Sequence, residues 1–160
     1  MSPSPEPTPA RLRAIPSRLL AGAAVVADRL VSERLAAEDA HKWHFAVLVA
    51  LAEGGAASQA ELSRRTGIYR SDMVAVLNEL ADAEYIRREP DPADRRRNVI
   101  TLTRAGGRRL ERLDMLIADA QRELLVPLTP GQQDELTHLL TLLTEHHRPP
   151  HPHPRTRDPQ

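Results

Sequence analysis

Apolar residues recur at helical spacing along most of this chain, and the rhythm breaks once, in a short extended stretch. From Ser17, the residues Leu19, Ala23, Val26 and Leu30 step four-three-four, predicting an amphipathic helix that charged residues prolong to Asp39. A second helix is predicted from His41 to Glu53, with Trp43, Val47, Leu48 and Leu51 available to a core and Gly54-Gly55 as its end. Ser58-Gln-Ala-Glu61 has the spacing of a capping box, where Ser58 and Glu61 satisfy each other's free backbone N–H. The short helix it opens is anchored by Leu62 and closed by Gly67. After Ile68, Tyr69 and Arg70, the pair Ser71-Asp72 supplies a polar start for a helix with Val74, Leu77 and Leu80 on one face.

The period then changes. Tyr85 and Ile86 favour an extended chain, Pro90 and Pro92 forbid a helix, and Val99 to Leu102 returns to β-branched and apolar residues. Asp94, Arg95, Arg96 and Arg97 fall between the two strands, so the segment reads as a hairpin tipped with guanidinium groups. Thr103 caps a long helix to about Leu125, in which Leu110, Leu113, Ile117, Ala120 and Leu124 form a three-four-three-four seam. Pro127 ends it. Thr129-Pro130-Gly-Gln132 opens the last helix, whose apolar face is Leu136, Leu139, Leu140 and Leu143.

The ends differ from the middle. Residues 1–14 hold four prolines and few apolar residues and are expected to be a disordered leader, with a second disordered segment over 148–160. Residues 15–147 are expected to form one domain, a size that 160 residues allow. Basic and acidic residues balance at 22 each, so no global field draws the protein to nucleic acid or to a membrane. Their distribution is uneven, because eleven arginines lie between Glu61 and Arg109. Cysteine is absent, which removes thiol redox switching and thiolate metal ligands. One Trp, two Tyr and one Phe are too few for a single-strand stacking platform. Arg11, Arg13 and Arg18 before Leu19–Ala27 mimic a short signal peptide, but the run is too brief for a bilayer and continues into an amphipathic helix. The chain is read as cytoplasmic, with no membrane partner.

Two short helices joined by a Gly-containing turn are the signature of a helix-turn-helix. Followed directly by an arginine-tipped hairpin, they make a winged helix-turn-helix: a mainly α fold with a small β-hairpin wing. The unit is placed at about 58–82 and the wing at about 85–103, within a DNA-binding lobe of 41–103. Double-stranded DNA is the expected partner. Ser71 and Asp72 stand at the helix end that meets base edges; Asp72 either accepts from a cytosine amino group or caps the helix. Arg70 contacts bases or phosphate, and Arg64 and Arg65 are expected on phosphates. Arg95 or Arg96 is expected in the minor groove, with Arg97 beside them, where narrow A·T segments concentrate negative potential.

Asp91-Pro-Ala-Asp-Arg-Arg96, followed by Val99-Ile-Thr-Leu-Thr103 and Gly106, resembles the wing signature of the MarR family of winged-helix transcriptional regulators. The likeness covers about 17–147. It implies a homodimer built through 15–39 and 104–147, the helix seam at Leu110–Leu124 serving as interface. It also implies a regulator, expected to be a repressor, that binds a pseudo-palindromic operator and is released by a small-molecule effector, and it makes Asp94 the support of the wing through a nearby arginine. Two departures matter. The Thr-Arg pattern of the family's recognition helix is Val74-Ala75 here, so the base-reading arginine is missing, and Glu84 stands where a glycine usually precedes the first wing strand.

By the same resemblance, His41, Trp43 and His44 lie where an effector pocket is expected, suited to a small aromatic or phenolic molecule; the alternative is that Trp43 belongs to the core and a histidine caps or hydrogen-bonds. His41 and His44 are also two candidate zinc ligands, with His138 as a remote third. Without Cys or a carboxylate at ligand spacing, no metal site and no cofactor is assigned. His146, His147, His151 and His153 read as an unstructured tail with adventitious metal affinity. An enzyme is not expected, since no nucleophile elbow, phosphate loop or metalloprotease spacing occurs. A winged-helix module that binds protein instead of DNA is the remaining alternative.

Overall fold

A computed structural model describes residues 9–148. The chain divides into two compact units, Met1–Leu124 and Leu125–Gln160. The first holds α1 (Ala10–Arg13), α2 (Pro16–Ala36), α3 (Lys42–Gly54), α4 (Gln59–Thr66), α5 (Arg70–Asp82), β1 (Ile86–Pro90), β2 (Asn98–Leu102) and nearly all of α6 (Arg104–Leu125). The mainly α class with a two-stranded wing is therefore as expected.

The core of this unit gathers one stripe from each element. Leu35, Val47, Leu48, Leu51, Leu62, Met73, Leu77, Ile86, Ile100 and Leu113 are all buried in a single cluster. Side chains of this size contribute roughly 1.5–3 kcal/mol each on full burial, so the cluster dominates the unit's stability. Start and stop signals act as expected. Ser58 and Glu61 form the capping box of α4 and Gly67 ends it at φ 74°.

β1 and β2 pair antiparallel, Ile86 opposite Leu102 and Pro90 opposite Asn98. A further bridge was not foreseen: Ala57 and Ile100 exchange backbone hydrogen bonds, Ala57 N–H to Ile100 O at 3.1 Å and Ile100 N–H to Ala57 O at 2.8 Å. The wing is thus tied to the segment that leads into α4. At its base, the Thr103 hydroxyl lies 2.8 Å from Glu84 O and 3.0 Å from Tyr85 O, and accepts from Gly106 N–H at 2.9 Å. Gly106 allows that approach, because a Cβ there would sit 2.0 Å from Tyr85 O.

Four expectations change. Helix α5 begins at Arg70 with Tyr69 as an N-cap that makes no side-chain bond, so Ser71 and Asp72 lie inside its first turn. The buried face of α5 is Met73, Val76, Leu77 and Leu80, while Val74 is 46% exposed: the inward stripe is set by where α3 and the wing lie, one residue away from the assumed face. The seam on α6 is largely intrachain, since Leu113 and Ala120 are fully buried and Leu110, Leu113 and Ile117 pack on this unit's own core. Ala10–Arg13 is a helical turn, in a stretch expected to be disordered, whereas residues 1–8 lie outside the described ones.

Two helix ends carry left-handed residues that are not glycine. After α5, Glu84 has φ 59°, with Glu84 N–H donating to Ala81 O and Tyr85 N–H to Leu80 O. After α2, Asp39 has φ 49°, with Asp39 N–H donating to Ala36 O and Ala40 N–H to Leu35 O. Both are Schellman ends, a motif that favours glycine at the left-handed position.

The second unit contains α7 (Pro130–His146), capped by Thr129 and Gln132 as expected. Gln133 Nε2 donates to Leu125 O at 3.3 Å and Leu128 O at 3.1 Å, closing the preceding turn. No residue of α7 is buried, and Leu139, Leu140, Leu142 and Leu143 are exposed. Apart from Arg148, the expected tail lies outside the described residues.

Candidate nucleic-acid interface

The wing tip is a braced loop. Asp91 N–H donates to Arg97 O at 2.8 Å, Arg97 N–H to Asp94 O at 2.9 Å, and Ala93 N–H to the Asp91 carboxylate at 2.8 Å. Asp94 Oδ1 also accepts from Arg96 N–H at 3.1 Å and Arg96 Nε at 3.2 Å. Asp94 and Arg96 therefore form the pair that the wing resemblance implies, and the Arg96 side chain remains 92% exposed. Arg95 and Arg97 are exposed, and no side-chain ion pair or hydrogen bond engages them among the described residues.

A strand residue joins the wing to the helix beside it. Arg88 Nη2 donates to Asn78 Oδ1 on α5 at 2.8 Å. Arg88 and Arg97 share a groove of about 240 Å³ with Ser58, Gln59 and Asn98, so cationic groups of the wing face the amino-terminal end of α4. Neither Arg88 nor Asn78 was singled out in the sequence, where only a long-range contact would have marked them. Arg64, Arg70 and Ser71 are exposed, and Asp72 is half-buried. Arg65 is exposed, and its Nη1 turns back onto Gly55 O at 3.3 Å and Ala50 O at 3.4 Å, covering the carbonyl end of α3. A cation is favourable there, opposite the helix's negative pole.

His41 touches both other members of the expected effector trio, edge-on to Trp43 at 5.9 Å and stacked on His44, but Trp43 and His44 line different cavities. His44 lines a cavity of about 300 Å³ with Asp39, Glu79, Tyr85, Arg109 and Leu113. Trp43, 38% exposed and so not a core residue, lines a separate hollow of about 370 Å³ with Gly67, Tyr69 and Asp72 at the helix-turn-helix turn. His41 Nε2 and His44 Nε2 converge on Glu79 Oε2, at 3.2 Å and 2.6 Å, and the two rings stack at 3.7 Å. Burial and the neighbouring His41 push the His44 imidazole down, outweighing the carboxylate's opposite pull. Hydrogen bonds from His41 and His44 hold Glu79 below the ordinary glutamate range. Glu79 supplies a carboxylate beside His41 and His44 that sequence spacing did not reveal, because only folding sets α3 against α5.

Arg109 anchors the other wall. It donates to the Glu38 carboxylate at 3.1 Å and to Glu38 O, and its guanidinium lies 5.5 Å from the Tyr85 ring centre. Arg112 completes the cluster at 2.7 Å from Glu38 and is the main reason that carboxylate titrates low.

A helix pair whose first member carries a capping box, a braced arginine wing and a tie between Ala57 and the second wing strand define a winged helix-turn-helix protein. Residues 38–97 match the model of the MarR family. That stretch, which holds the helix pair and most of the wing, is similar to the family. NicR of Pseudomonas putida, an HTH-type transcriptional repressor, is 28% identical over 96 residues, which are 60% of this chain and 61% of NicR. The chain thus spans less than two thirds of that relative's length. A mutant MarR of E. coli complexed with operator DNA is 25% identical, with a TM-score of 0.72 over 85% of this chain and 99% of that one. A MarR family protein of Mycobacterium tuberculosis in complex with p-aminosalicylic acid is 28% identical, with a TM-score of 0.67 over 81% and 98%. No helix among the described residues is long and apolar enough to cross a membrane.

Proposed function

We propose that this protein is a cytoplasmic homodimeric regulator of transcription that binds a pseudo-palindromic site in double-stranded DNA. It acts as a repressor by occupying a promoter, and a small molecule releases it. The observation that carries this reading is the wing, where Arg95 and Arg97 are held out by a loop that two aspartates brace. The operator complex of the E. coli MarR mutant supports it. Arg95 enters the minor groove, Arg96 assists from its Asp94 brace, and Arg64, Arg70 and Arg97 neutralise phosphates. On α5, Ser71 and Asp72 meet base edges. Val74 and Ala75 replace the family's polar pair on an exposed face, which suits contact with thymine methyl groups.

A second copy would cover the exposed apolar residues of α2 and α7, among them Leu19, Leu20, Val26, Leu139, Leu140 and Leu143. Two recognition helices would then reach successive major grooves about 34 Å apart. The cavity of His44, Tyr85 and Arg109 suits a small aromatic or phenolic molecule carrying an acidic group, with Arg109 as its counter-charge. Such a ligand releases DNA only if it binds the DNA-incompetent dimer more tightly.

Selection of bound sites from random duplex DNA, repeated with a panel of aromatic acids, tests the reading. The expected product is a two-fold symmetric site, with log affinity falling steeply as log salt rises. Recovery of no enriched sequence, or an affinity indifferent to salt, would favour a protein-binding module instead.

A further inference from the structure

We infer that His41, His44 and Glu79 form a binding site for a divalent transition-metal ion, of the kind that imidazole and carboxylate ligands share. The three ligand atoms lie within 4.8 Å of one another and come from the start of α3 and from α5. Both imidazoles present the same nitrogen, Nε2, to one carboxylate oxygen. A tetrahedral ion with ligands at about 2.0–2.1 Å needs them about 3.3–3.4 Å apart. The His41–Glu79 distance of 3.2 Å already meets that spacing. The His44–Glu79 distance of 2.6 Å needs a small outward movement of the Glu79 carboxylate, whose side chain is 54% exposed and free to make it.

Local chemistry agrees with the geometry. His41 is the extended N-cap of α3 and His44 lies in its first turn, and the two rings meet at a centroid distance of 3.7 Å. Three protein ligands leave a coordination position open, and the partly exposed rim of His41 and Glu79 lets water or a small anion fill it. Imidazole with carboxylate suits zinc, cobalt or nickel better than calcium or magnesium, which prefer all-oxygen shells.

The site has a consequence for α5. Glu79 lies on the helix whose first turn carries Arg70, Ser71 and Asp72, and the histidines lie at the N-cap and first turn of α3. A bound ion therefore clamps α5 to α3 and alters affinity for DNA; this coupling rests on the DNA-binding reading, whereas the metal site does not.

The test uses the full chain. Co(II) titrated into wild type is expected to bind at one tight site per chain, with the visible absorption of a four-coordinate ion, and Zn(II) to displace it. Glu79→Gln and His41→Asn, both at exposed side chains and checked for retained helicity, should each weaken binding at least about tenfold. Replacing His146, His147, His151 and His153 together by Asn should leave the cobalt band intact. Unchanged affinity in Glu79→Gln, or loss of binding only in the tail variant, would overturn the site. Band shifts on the selected duplex, with and without Zn(II), are run separately. If metal binds as described and no duplex is ever bound, the DNA reading fails and the metal site stands.

Discussion

Glu84 shows how a single residue records a compromise in the fold. Its φ of 59° places an L side chain where glycine is at ease, yet the two backbone bonds that end α5 require that conformation. Glu84→Gly is expected to raise stability by about 0.5–1 kcal/mol, seen as a higher urea midpoint at unchanged slope. Gly106 is the reverse case. A methyl group there meets Tyr85 O at 2.0 Å, so Gly106→Ala should cost about 1–3 kcal/mol and loosen the wing's base. Arg95 acts at the same scale but on binding. Arg95→Ala should weaken operator affinity and lower the magnitude of the salt slope by about one, the signature of one lost phosphate-region contact. A wild-type titration curve for that variant would remove Arg95 from the interface.

At the scale of elements, the helix ends and the α6 seam carry the argument. Ser58 and Glu61 cap α4, and the Ser58 backbone N–H is the main reason Glu61 titrates low; Arg112 does the same for Glu38. Each carboxylate binds its proton more readily in the unfolded chain. Their contributions are thus complete above the ordinary glutamate value and are lost as pH falls through the depressed folded values. Urea midpoints should decline across that acid range, and Ser58→Ala should cost about 1 kcal/mol and flatten part of the decline. On α6, Leu113 is fully buried within its own chain. Leu113→Ala should destabilise by about 2–5 kcal/mol as a core cavity does, which a purely intersubunit seam would not require of the isolated chain.

At the scale of the whole molecule, the unburied leucines of α7 and the exposed apolar residues of α2 set the expectation. Under the proposed dimer, these exposed apolar residues are the ones a second copy would cover. Leu139→Glu with Leu142→Glu should shift sedimentation from dimer to monomer. Operator affinity should fall with it, since two half-sites are then no longer engaged together. A double variant that remains dimeric would place the interface elsewhere.

Local signals were legible where chemistry acts within a few residues. Capping boxes, the Gly67 end and the proline-marked hairpin depend on neighbours in sequence, and each appears as read. What tertiary structure decided was which face turns inward and which distant groups meet. Val74 pointed outward because α5 takes its rotation from the elements it packs on, and the α6 seam closed on its own chain for the same reason. Arg65 turned to the end of α3, Trp43 and His44 came to line different cavities, and Glu79 met two histidines some 35 residues away. Periodicity fixes that a helix has an apolar stripe; only packing selects its partner, because burial is non-directional and any complementary surface satisfies it.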